Sequence, residues 1–223
     1  EYSWKSQTIY INEQQYQAKD ICIENDWSAV TFWLEIVALA KKAQIELNGL
    51  YKDSWQGDIK ALSIFSKLGV SHRFNNNQLI LFKDTSQIPK KQLNLIETPD
   101  LSQAIFCTYA GLKQSVELTG LFSLKFKETD RIISLQSELK KLGINVKISQ
   151  DSILIKEFNK YIEMPFIKTH QDHRMAMSFA PLALCFGKLI IENIDVVKKS
   201  YPTFWEELEK VGFTIFASIH SNN

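Results

Sequence analysis

The chain has 223 residues, of which 45% are hydrophobic and 23% are charged, and its formal net charge is +1. A near-neutral balance without a basic stripe argues against a nucleic-acid-binding protein. The sequence has no run of 18 apolar residues, so no membrane-spanning helix is predicted. The sequence therefore predicts a globular protein large enough to bury a substantial core.

The first part of the chain predicts strands and then a first set of alternating elements. Residues 2–24 are typical of strands with polar turns and end in a short strand at 19–23. We then expect a helix over residues 27–42, a strand at 44–50, an amphipathic helix with Leu62, Phe65 and Leu68 on one face and its end at Gly69, and a hairpin of strands 70–74 and 79–82.

The same order of elements follows in the middle of the chain. A strand at 93–97, a helix at 101–112 and a strand at 115–121 lead to the sequence KETDRI at 127–132. This stretch is predicted to open a helix that Gly143 ends, followed by strands at 144–148 and 152–156. The apolar face of that helix consists of Ile132, Leu135, Leu139 and Leu142.

A third round occupies the last part of the chain. The pattern predicts a strand at 164–169, a helix at 173–186 and a strand at 188–194. Pro202 is typical of a helix start and opens the last helix. This helix is predicted to turn Phe204, Leu208 and Val211 inward and to end at Gly212.

Two independent markers give these rounds one period. The acidic residues Asp26, Asp100 and Asp172 are 74 and 72 residues apart, and the glycines at 69, 143 and 212 are 74 and 69 apart. Such regularity indicates a tandem repeat. The predicted fold is an α/β (α+β) domain of three β-α-β-α-β-β repeats packed around buried helices; a linear solenoid is the alternative.

Three cysteines, Cys22, Cys107 and Cys185, each lie in an apolar run. This pattern predicts buried thiols in a reducing compartment, the cytoplasm, with a disulfide or a catalytic thiol as the alternative.

The candidate site residues are charged groups at helix starts, where exposed backbone N–H groups attract anions. Asp26 and Asp172 are predicted N-caps, whereas Asp100 is a candidate for chemistry. In KETDRI, Lys127 and Arg131 are spaced i, i+4 and would share a helix face as a clamp for phosphate or carboxylate, with Glu128 as a proton donor or acceptor. The alternative is a solvated helix start whose charges pair with each other.

The triplet Asp172-His173-Arg174 precedes an entirely apolar helix and so indicates the mouth of a pocket. Lys199 precedes the last helix in the same way. If the repeats close on one another, Lys127, Arg131, Arg174 and Lys199 would surround Asp100 and Glu128 and form a site for an anionic substrate. His170 and His173 have no further ligands at metal-binding spacing, so no metal is predicted.

Five motifs resemble the EPSP synthase (3-phosphoshikimate 1-carboxyvinyltransferase) family in its order and spacing. They are NDWSAVTFW at 25–33, QGDI at 56–59, KETDR at 127–131, DHRMAMSFAPLAL at 172–184 and KKSYPTFWEEL at 198–208. The resemblance implies the C-terminal portion of a two-domain enzyme. Residues 1–24 would be the terminal strands of the otherwise missing upper domain, and residues 25–223 the lower enolpyruvyl transferase domain.

The resemblance also implies a reaction: transfer of the enolpyruvyl group of phosphoenolpyruvate to the 5-hydroxyl of shikimate 3-phosphate, with release of phosphate, in aromatic amino-acid biosynthesis. Asp100 would act on the hydroxyl proton and Glu128 on the methylene carbon, although the division of steps stays open. Lys127 would contact shikimate 3-phosphate, and Arg131, Arg174 and Lys199 would bind phosphoenolpyruvate with His173 beside them. No metal or organic cofactor is implied, and we expect a cytoplasmic monomer.

Two departures limit the resemblance. Ser123 stands where the family often has an asparagine that faces the shikimate moiety. The resemblance also implies that the upper-domain half of the site would lie outside these residues, so we expect the chain alone not to turn over. The alternatives are a UDP-N-acetylglucosamine enolpyruvyl transferase-type enzyme and a non-catalytic anion-binding repeat domain.

Overall fold

Residues 2–11 form an exposed β-hairpin, and irregular backbone follows it. The computed structural model describes residues 2–84, 89–161 and 163–216. β1 (Tyr2–Lys5) pairs antiparallel with β2 (Thr8–Ile11). The strand predicted at residues 19–23 is wrong, since this stretch has no regular secondary structure. Ile21 and Ile23 are 78% and 88% exposed, so no buried face fixes a strand here.

Glu24 fastens the end of this irregular segment to the first repeat. Its carboxylate accepts hydrogen bonds from Trp27 Nε1 at 2.7 Å, the Tyr51 amide at 3.0 Å, Ser54 Oγ at 2.5 Å and Gln56 Nε2 at 3.1 Å. Four donors on one carboxylate fix the point at which the chain enters the folded repeats.

After its missing first strand, the first repeat follows the predicted order of elements. Gly69, at φ 82°, ends its second helical segment, as predicted. The strands form an antiparallel sheet in the order β3-β5-β4. The elements are α1 (Trp27–Leu39), β3 (Gln44–Asn48), α2 (Ala61–Phe65, with 3₁₀ turns Gly57–Lys60 and Ser66–Leu68 on either side), β4 (Val70–Asn75) and β5 (Gln78–Lys83).

The second repeat has the complete predicted set of elements. Its sheet has the order β6-β7-β9-β8, in which β6 and β7 are parallel and the other pairs antiparallel. Gly143, at φ 74°, ends α4 as predicted, and a side chain there would meet the Asn159 carbonyl oxygen at 2.5 Å. The elements are β6 (Gln92–Asn94), α3 (Ser102–Gly111), β7 (Glu117–Thr119), α4 (Arg131–Lys141), β8 (Ile144–Ile148) and β9 (Ser152–Phe158).

The third repeat is shorter in its strands. Residues 211–216 form no strand, so its closing strand pair is absent from the described part of the chain. Phe204 and Leu208 are buried as predicted, but the inward placement of Val211 is wrong, because it follows the last helical residue and is 43% exposed. The elements are β10 (Phe166–Ile167), α5 (His173–Phe179), a 3₁₀ turn (Ala180–Leu182), α6 (Ala183–Phe186), β11 (Ile190–Ile191, parallel to β10) and α7 (Phe204–Lys210).

The first helix of each repeat lies at the centre of the fold. α1 packs on α3, and α3 packs on α5. These helices are buried around most of their circumference, as expected for helices at the centre of a core. The mixed helix and strand fold with shared buried helices is therefore confirmed, and the solenoid alternative is not. In the described ranges, no helix has the length and apolarity needed to cross a membrane.

The cysteine prediction is correct for one residue and wrong for two. Cys107 is fully buried in α3, whereas Cys22 and Cys185 are exposed. All three are free thiols. Burial raises the pKa of the Cys107 thiol well above its ordinary value. Cys22 lies in the exposed irregular segment and Cys185 in the final turn of α6, so apolar neighbours in sequence did not lead to burial.

A carboxyl group lies within this helical core. Glu35 of α1 is fully buried, and neither of its oxygens has a hydrogen-bond partner among the described residues. Burial therefore raises its pKa well above the ordinary value of 4.5. Glu35 is neutral in the folded chain under conditions where the unfolded chain ionises it.

This difference predicts a pH dependence of stability. Below about pH 4.5 the Glu35 carboxyl is protonated in both states. As the pH rises, the unfolded state releases the proton first, so the folded state should lose stability relative to a Glu35→Gln variant, by at most about 1.4 kcal/mol per pH unit and only until the pH reaches the folded-state pKa. Urea unfolding of both proteins between pH 5 and 8 measures this loss. Parallel stability curves would contradict the buried neutral carboxyl.

Candidate functional site

Charged side chains from the second and third repeats meet at one end of the central helices. Asp100 lies in the 3₁₀ turn Pro99–Leu101 ahead of α3, and Arg131 is the first residue of α4. Asp172 caps the N-terminus of α5, and Lys199 ends the 3₁₀ helix Ile194–Lys199. Because these elements all begin or end at the same edge, side chains far apart in sequence come within contact distance.

Arg131 is the centre of this cluster. Its side chain is only 2% exposed. Nε donates to Asp172 Oδ2 at 2.6 Å, Nη1 to Asp100 Oδ1 at 2.8 Å and Nη2 to Glu128 Oε2 at 2.7 Å. One guanidinium thus binds three carboxylates from three separate segments, which satisfies the charge that burial would otherwise leave uncompensated.

The predicted helical arrangement of Lys127 and Arg131 is wrong. Asp130 is the N-cap, since its carboxylate accepts from the amides of Ile132 and Ile133, and α4 begins at Arg131. Lys127 has extended backbone ahead of the helix. Both cations still reach Asp100 and contact the same oxygen, Oδ1, Lys127 at 3.2 Å and Arg131 at 2.8 Å. Asp130 lies two residues before the apolar pair Ile132-Ile133, and an aspartate in this place is an N-cap signal that could have located this start.

Asp100 is surrounded by three cations. Lys127 Nζ lies 3.2 Å from Oδ1, Arg174 Nη2 lies 3.7 Å from Oδ2, and Arg174 Nη1 donates to the Asp100 backbone oxygen at 3.1 Å. Partial burial opposes ionisation, but the charges of Arg174, Arg131 and Lys127 outweigh it and lower the pKa of Asp100. Asp26 and Asp172, the predicted caps, accept from backbone amides, whereas the Asp100 carboxylate contacts these cations instead.

Glu128 joins the 3₁₀ helix Ile194–Lys199 of the third repeat to this cluster. Lys199 Nζ donates to Oε1 at 2.6 Å while Arg131 holds Oε2. Burial alone would raise the pKa of Glu128, but the hydrogen bond from Lys199 and the charge of Arg131 lower it to about 2. Glu128 is therefore a carboxylate in the unliganded chain and can accept a proton.

Asp172 does more than the N-cap prediction implied. Its Oδ1 accepts from the Arg174 amide at 2.9 Å, which confirms the cap, and its Oδ2 binds Arg131. The residue is fully buried. Asp26 is a cap in the same repeat position, accepting from the Ser28 amide at 2.9 Å. The ion pair of Asp172 with Arg131 has no local sequence signal, because the partners are 41 residues apart.

His173 faces the same cluster with a ring nitrogen left open. Nδ1 is buried, has no hydrogen-bond partner among the described residues, and lies 3.7 Å from Asp172 Oδ1 and 3.9 Å from Glu128 Oε1. Burial lowers the pKa of His173, although Asp172 opposes this effect. A neutral imidazole with a free nitrogen at this position can donate to or accept from a bound ligand.

The first repeat contributes a further acidic residue, which the sequence reasoning did not identify. Asp58 of the QGDI motif accepts from Ser28 Oγ at 2.5 Å. Burial raises its pKa, while hydrogen bonding to Ser28 and the charge of Arg174 oppose the rise. Asp58 therefore lies within electrostatic range of the candidate site.

Four cations and three carboxylates make up the cluster, which leaves one net positive charge. The cations are Lys127, Arg131, Arg174 and Lys199, and the carboxylates are Asp100, Glu128 and Asp172. Lys199 and Lys127 are partly exposed, so a small anion can reach them from solvent. Such an anion must compete with Glu128 and Asp100 for their cations.

Comparison with known proteins gives one consistent family. A model described as EPSP synthase (3-phosphoshikimate 1-carboxyvinyltransferase) matches residues 1–208. A Bacteroides fragilis protein named 3-phosphoshikimate 1-carboxyvinyltransferase is 41% identical over 216 residues, covering 96% of this chain and 53% of the relative. A Methanosphaera stadtmanae protein of the same name is 32% identical over 206 residues, covering 92% and 47%. The chain spans about half the length of the curated relatives it matches.

Solved structures agree in fold. EPSP synthase from Acinetobacter baumannii superimposes with a TM-score of 0.76 at 24% identity, over 98% of this chain and 53% of that one. The enolpyruvyl transferase NikO from Streptomyces tendae gives a TM-score of 0.63 at 14% identity, over 85% and 43%. At these identities the two structures support the fold alone.

The two capping aspartates provide a matched test of the buried ion pair. Asp172→Ala leaves part of the buried Arg131 charge unpaired and should lower the free energy of unfolding by about 3–5 kcal/mol. Asp26→Ala removes a cap without an arginine and should cost only about 1 kcal/mol. Urea unfolding measures both. Equal losses would show that the pair with Arg131 adds nothing to stability.

A second prediction concerns competition for the cations. Glu128→Gln releases Lys199 and Arg131 from a carboxylate, so inorganic phosphate should bind about tenfold more tightly at pH 7, as removal of one nearby negative charge implies. Calorimetric titration measures the affinity. Glu207→Gln, which breaks the exposed pair with Lys210, is the control and should change nothing. Weaker phosphate binding by Glu128→Gln would refute the competition.

Proposed function

The chain belongs to the EPSP synthase family, and from this premise we propose that it forms about half of an enolpyruvyl transferase. The proposed enzyme moves the enolpyruvyl group of phosphoenolpyruvate to the 5-hydroxyl of shikimate 3-phosphate and releases phosphate, a step in aromatic amino-acid biosynthesis. The observation that carries the proposal is the convergence on Arg131 of Asp100, Glu128 and Asp172. Two of these carboxylates are partly open to solvent and so to substrate.

We propose that residues 25–223 are the lower domain and residues 1–24 belong to an upper domain. Two features support this division. The hairpin carries large apolar side chains, such as Trp4 and Ile11, that are 63% and 71% exposed, as expected for strands that need a covering partner. The Glu24 carboxylate accepts four hydrogen bonds and marks where the folded repeats begin.

The substrates are assigned by charge. Phosphoenolpyruvate carries a phosphate and a carboxylate, and Arg131, Arg174 and Lys199 supply the cations for them, with His173 beside. Lys127 binds phosphate or hydroxyl oxygens of shikimate 3-phosphate next to Asp100. The addition intermediate carries both phosphates and both carboxylates of the two substrates, so a cluster of four cations stabilises it more than either substrate alone.

The two partly exposed carboxylates handle the protons. The 5-hydroxyl oxygen forms its bond to C2 of phosphoenolpyruvate and gives its proton to Asp100, while C3 receives a proton from Glu128. The bond from C2 to the phosphate oxygen then breaks, the departing phosphate takes the proton held by Asp100, and return of a proton from C3 to Glu128 restores the methylene group. The pKa of Glu128, about 2 without ligand, must rise for the first of these steps, and anions that engage Lys199 and Arg131 raise it.

We also propose that the enzyme acts in the cytoplasm on these small molecules, where the free thiols stay reduced. Ser123 is exposed in the 3₁₀ turn Phe122–Phe126 just ahead of Lys127. Its side chain is shorter than the asparagine that the family often has at this position, so Ser123 is assigned no contact with shikimate.

A chimera tests the proposal. The part of the Bacteroides fragilis relative that this chain does not match is joined to the chain, and phosphate release from phosphoenolpyruvate is measured with and without shikimate 3-phosphate. The chimera should release phosphate only with both substrates, and the 223 residues alone should not.

Arg174→Gln in the chimera should lower kcat/KM at least about 100-fold, because one transition-state cation is lost. Arg73→Gln, whose guanidinium lies over the Phe82 ring, is the matched control and should keep activity within about twofold. A folded chimera without activity, or full activity of the chain alone, would overturn the proposal.

A further inference from the structure

The turn that delivers the charged triplet to the site has an unfavourable backbone. His170 and Gln171 have φ values of 52° and 60°, so two successive residues other than glycine adopt the left-handed region. Each such residue costs roughly 1–2 kcal/mol. Asp172, His173 and Arg174 follow at once, so the direction of this turn sets where all three side chains point.

A buried carboxylate on the neighbouring helix α4 holds this turn. Glu138 is 2% exposed. It receives hydrogen bonds from His170 Nε2 at 2.9 Å, the Lys168 amide at 2.8 Å, Lys141 Nζ at 2.5 Å and Ser137 Oγ at 3.2 Å. His170 belongs to the turn itself and Lys168 to the segment just before it. Lys141 also binds that segment, since it donates to the Phe166 carbonyl as well.

Glu138 and Arg131 lie on the same helix, seven residues apart, which is about two turns or roughly 10 Å. At the first turn of α4, Arg131 binds Asp172; farther along, Glu138 binds Lys168 and His170. The segment 168–172 is thus attached to α4 at both of its ends. Two attachments fix both the position and the orientation of the segment relative to Arg131.

We propose that Glu138, acting through His170 and the Lys168 amide, is a positioning residue that sets the turn so that Asp172 meets Arg131 and Arg174 meets Asp100. Its role in catalysis rests on the proposed function, whereas its effect on the unliganded cluster does not. Glu138 touches no residue that is assigned to substrate. Its place in the mechanism is to keep the anion-binding cations at their distances.

The chemistry of Glu138 favours positioning over simple stabilisation. A buried carboxylate costs solvation free energy, and an apolar residue of similar volume often serves stability as well. Burial would raise the pKa of Glu138, but hydrogen bonds from Lys141, His170 and the Lys168 amide lower it, so the group is charged. A charged acceptor selects one geometry of its donors, which an apolar contact does not.

Matched glycine variants separate the hydrogen bond from the backbone strain. His170→Gly and Gln171→Gly each relieve one left-handed residue and add similar flexibility. Of these two glycine variants, only His170→Gly removes the contact with Glu138, since the side chain of Gln171 accepts one long hydrogen bond within the described ranges, from Asn193 at 3.5 Å. Glu138→Gln is the third variant and keeps one acceptor oxygen without the charge.

The readout is the arginine Nε–H spectrum of the 223-residue chain. The chain has three arginines, Arg73, Arg131 and Arg174, so nitrogen-15 labelling of arginine gives three assignable signals. The Arg131 Nε–H donates to buried Asp172 at 2.6 Å and should exchange slowly with water. Exchange at Arg131 should become at least tenfold faster in His170→Gly and Glu138→Gln. It should stay within twofold of wild type in Gln171→Gly.

Phosphate titration of the same samples adds a functional arm, with about fivefold weaker binding expected for the two variants that lose the Glu138 contact. Circular dichroism confirms that each is folded, and if Glu138→Gln does not fold, His170→Gly carries the test. Unchanged Arg131 exchange in folded His170→Gly, or equal acceleration in Gln171→Gly, would overturn the positioning role. If exchange behaves as expected but the chimera is inactive, the proposed function fails and the positioning of Arg131 stands.

Discussion

The buried guanidinium of Arg131 imposes a constraint that the rest of the site follows. A charge with 2% exposure loses most of its hydration, and that loss is several kcal/mol unless carboxylates replace the water. Asp100, Glu128 and Asp172 supply them at 2.6–2.8 Å from three separate segments. The helix starts of the second and third repeats must therefore converge, and the same convergence creates the candidate site.

This arrangement also determines the resting state of the chemistry. Asp100 and Glu128 are both held as carboxylates by their cations, with lowered pKa values. An anionic ligand that engages Lys199 or Arg174 weakens that hold and makes protonation easier. Ligand binding is thus linked to the pKa of these carboxylates, because the ligand and the carboxylates bind the same lysine and arginine nitrogen atoms.

The sequence predicted those features that depend on local periodicity. The apolar face of α4 and its end at Gly143 follow from spacing and from the need for a positive φ. The start of α4 did not, because Lys127 and Glu128 look like helix residues, whereas Asp130 caps the helix after them. The sequence predicted which charged residues come together. It could not predict which of them pair, because the partners are far apart in sequence.

The three capping positions show how a repeat becomes a site. Asp26 only caps a helix, Asp172 caps a helix and binds Arg131, and Asp100 caps nothing and binds three cations. The backbone frame of the repeats puts a carboxylate at an equivalent place each time. What differs is the arginine and lysine neighbours, which only the second and third repeats bring to this edge. Periodicity therefore predicts the frame, and the departures from it locate the chemistry.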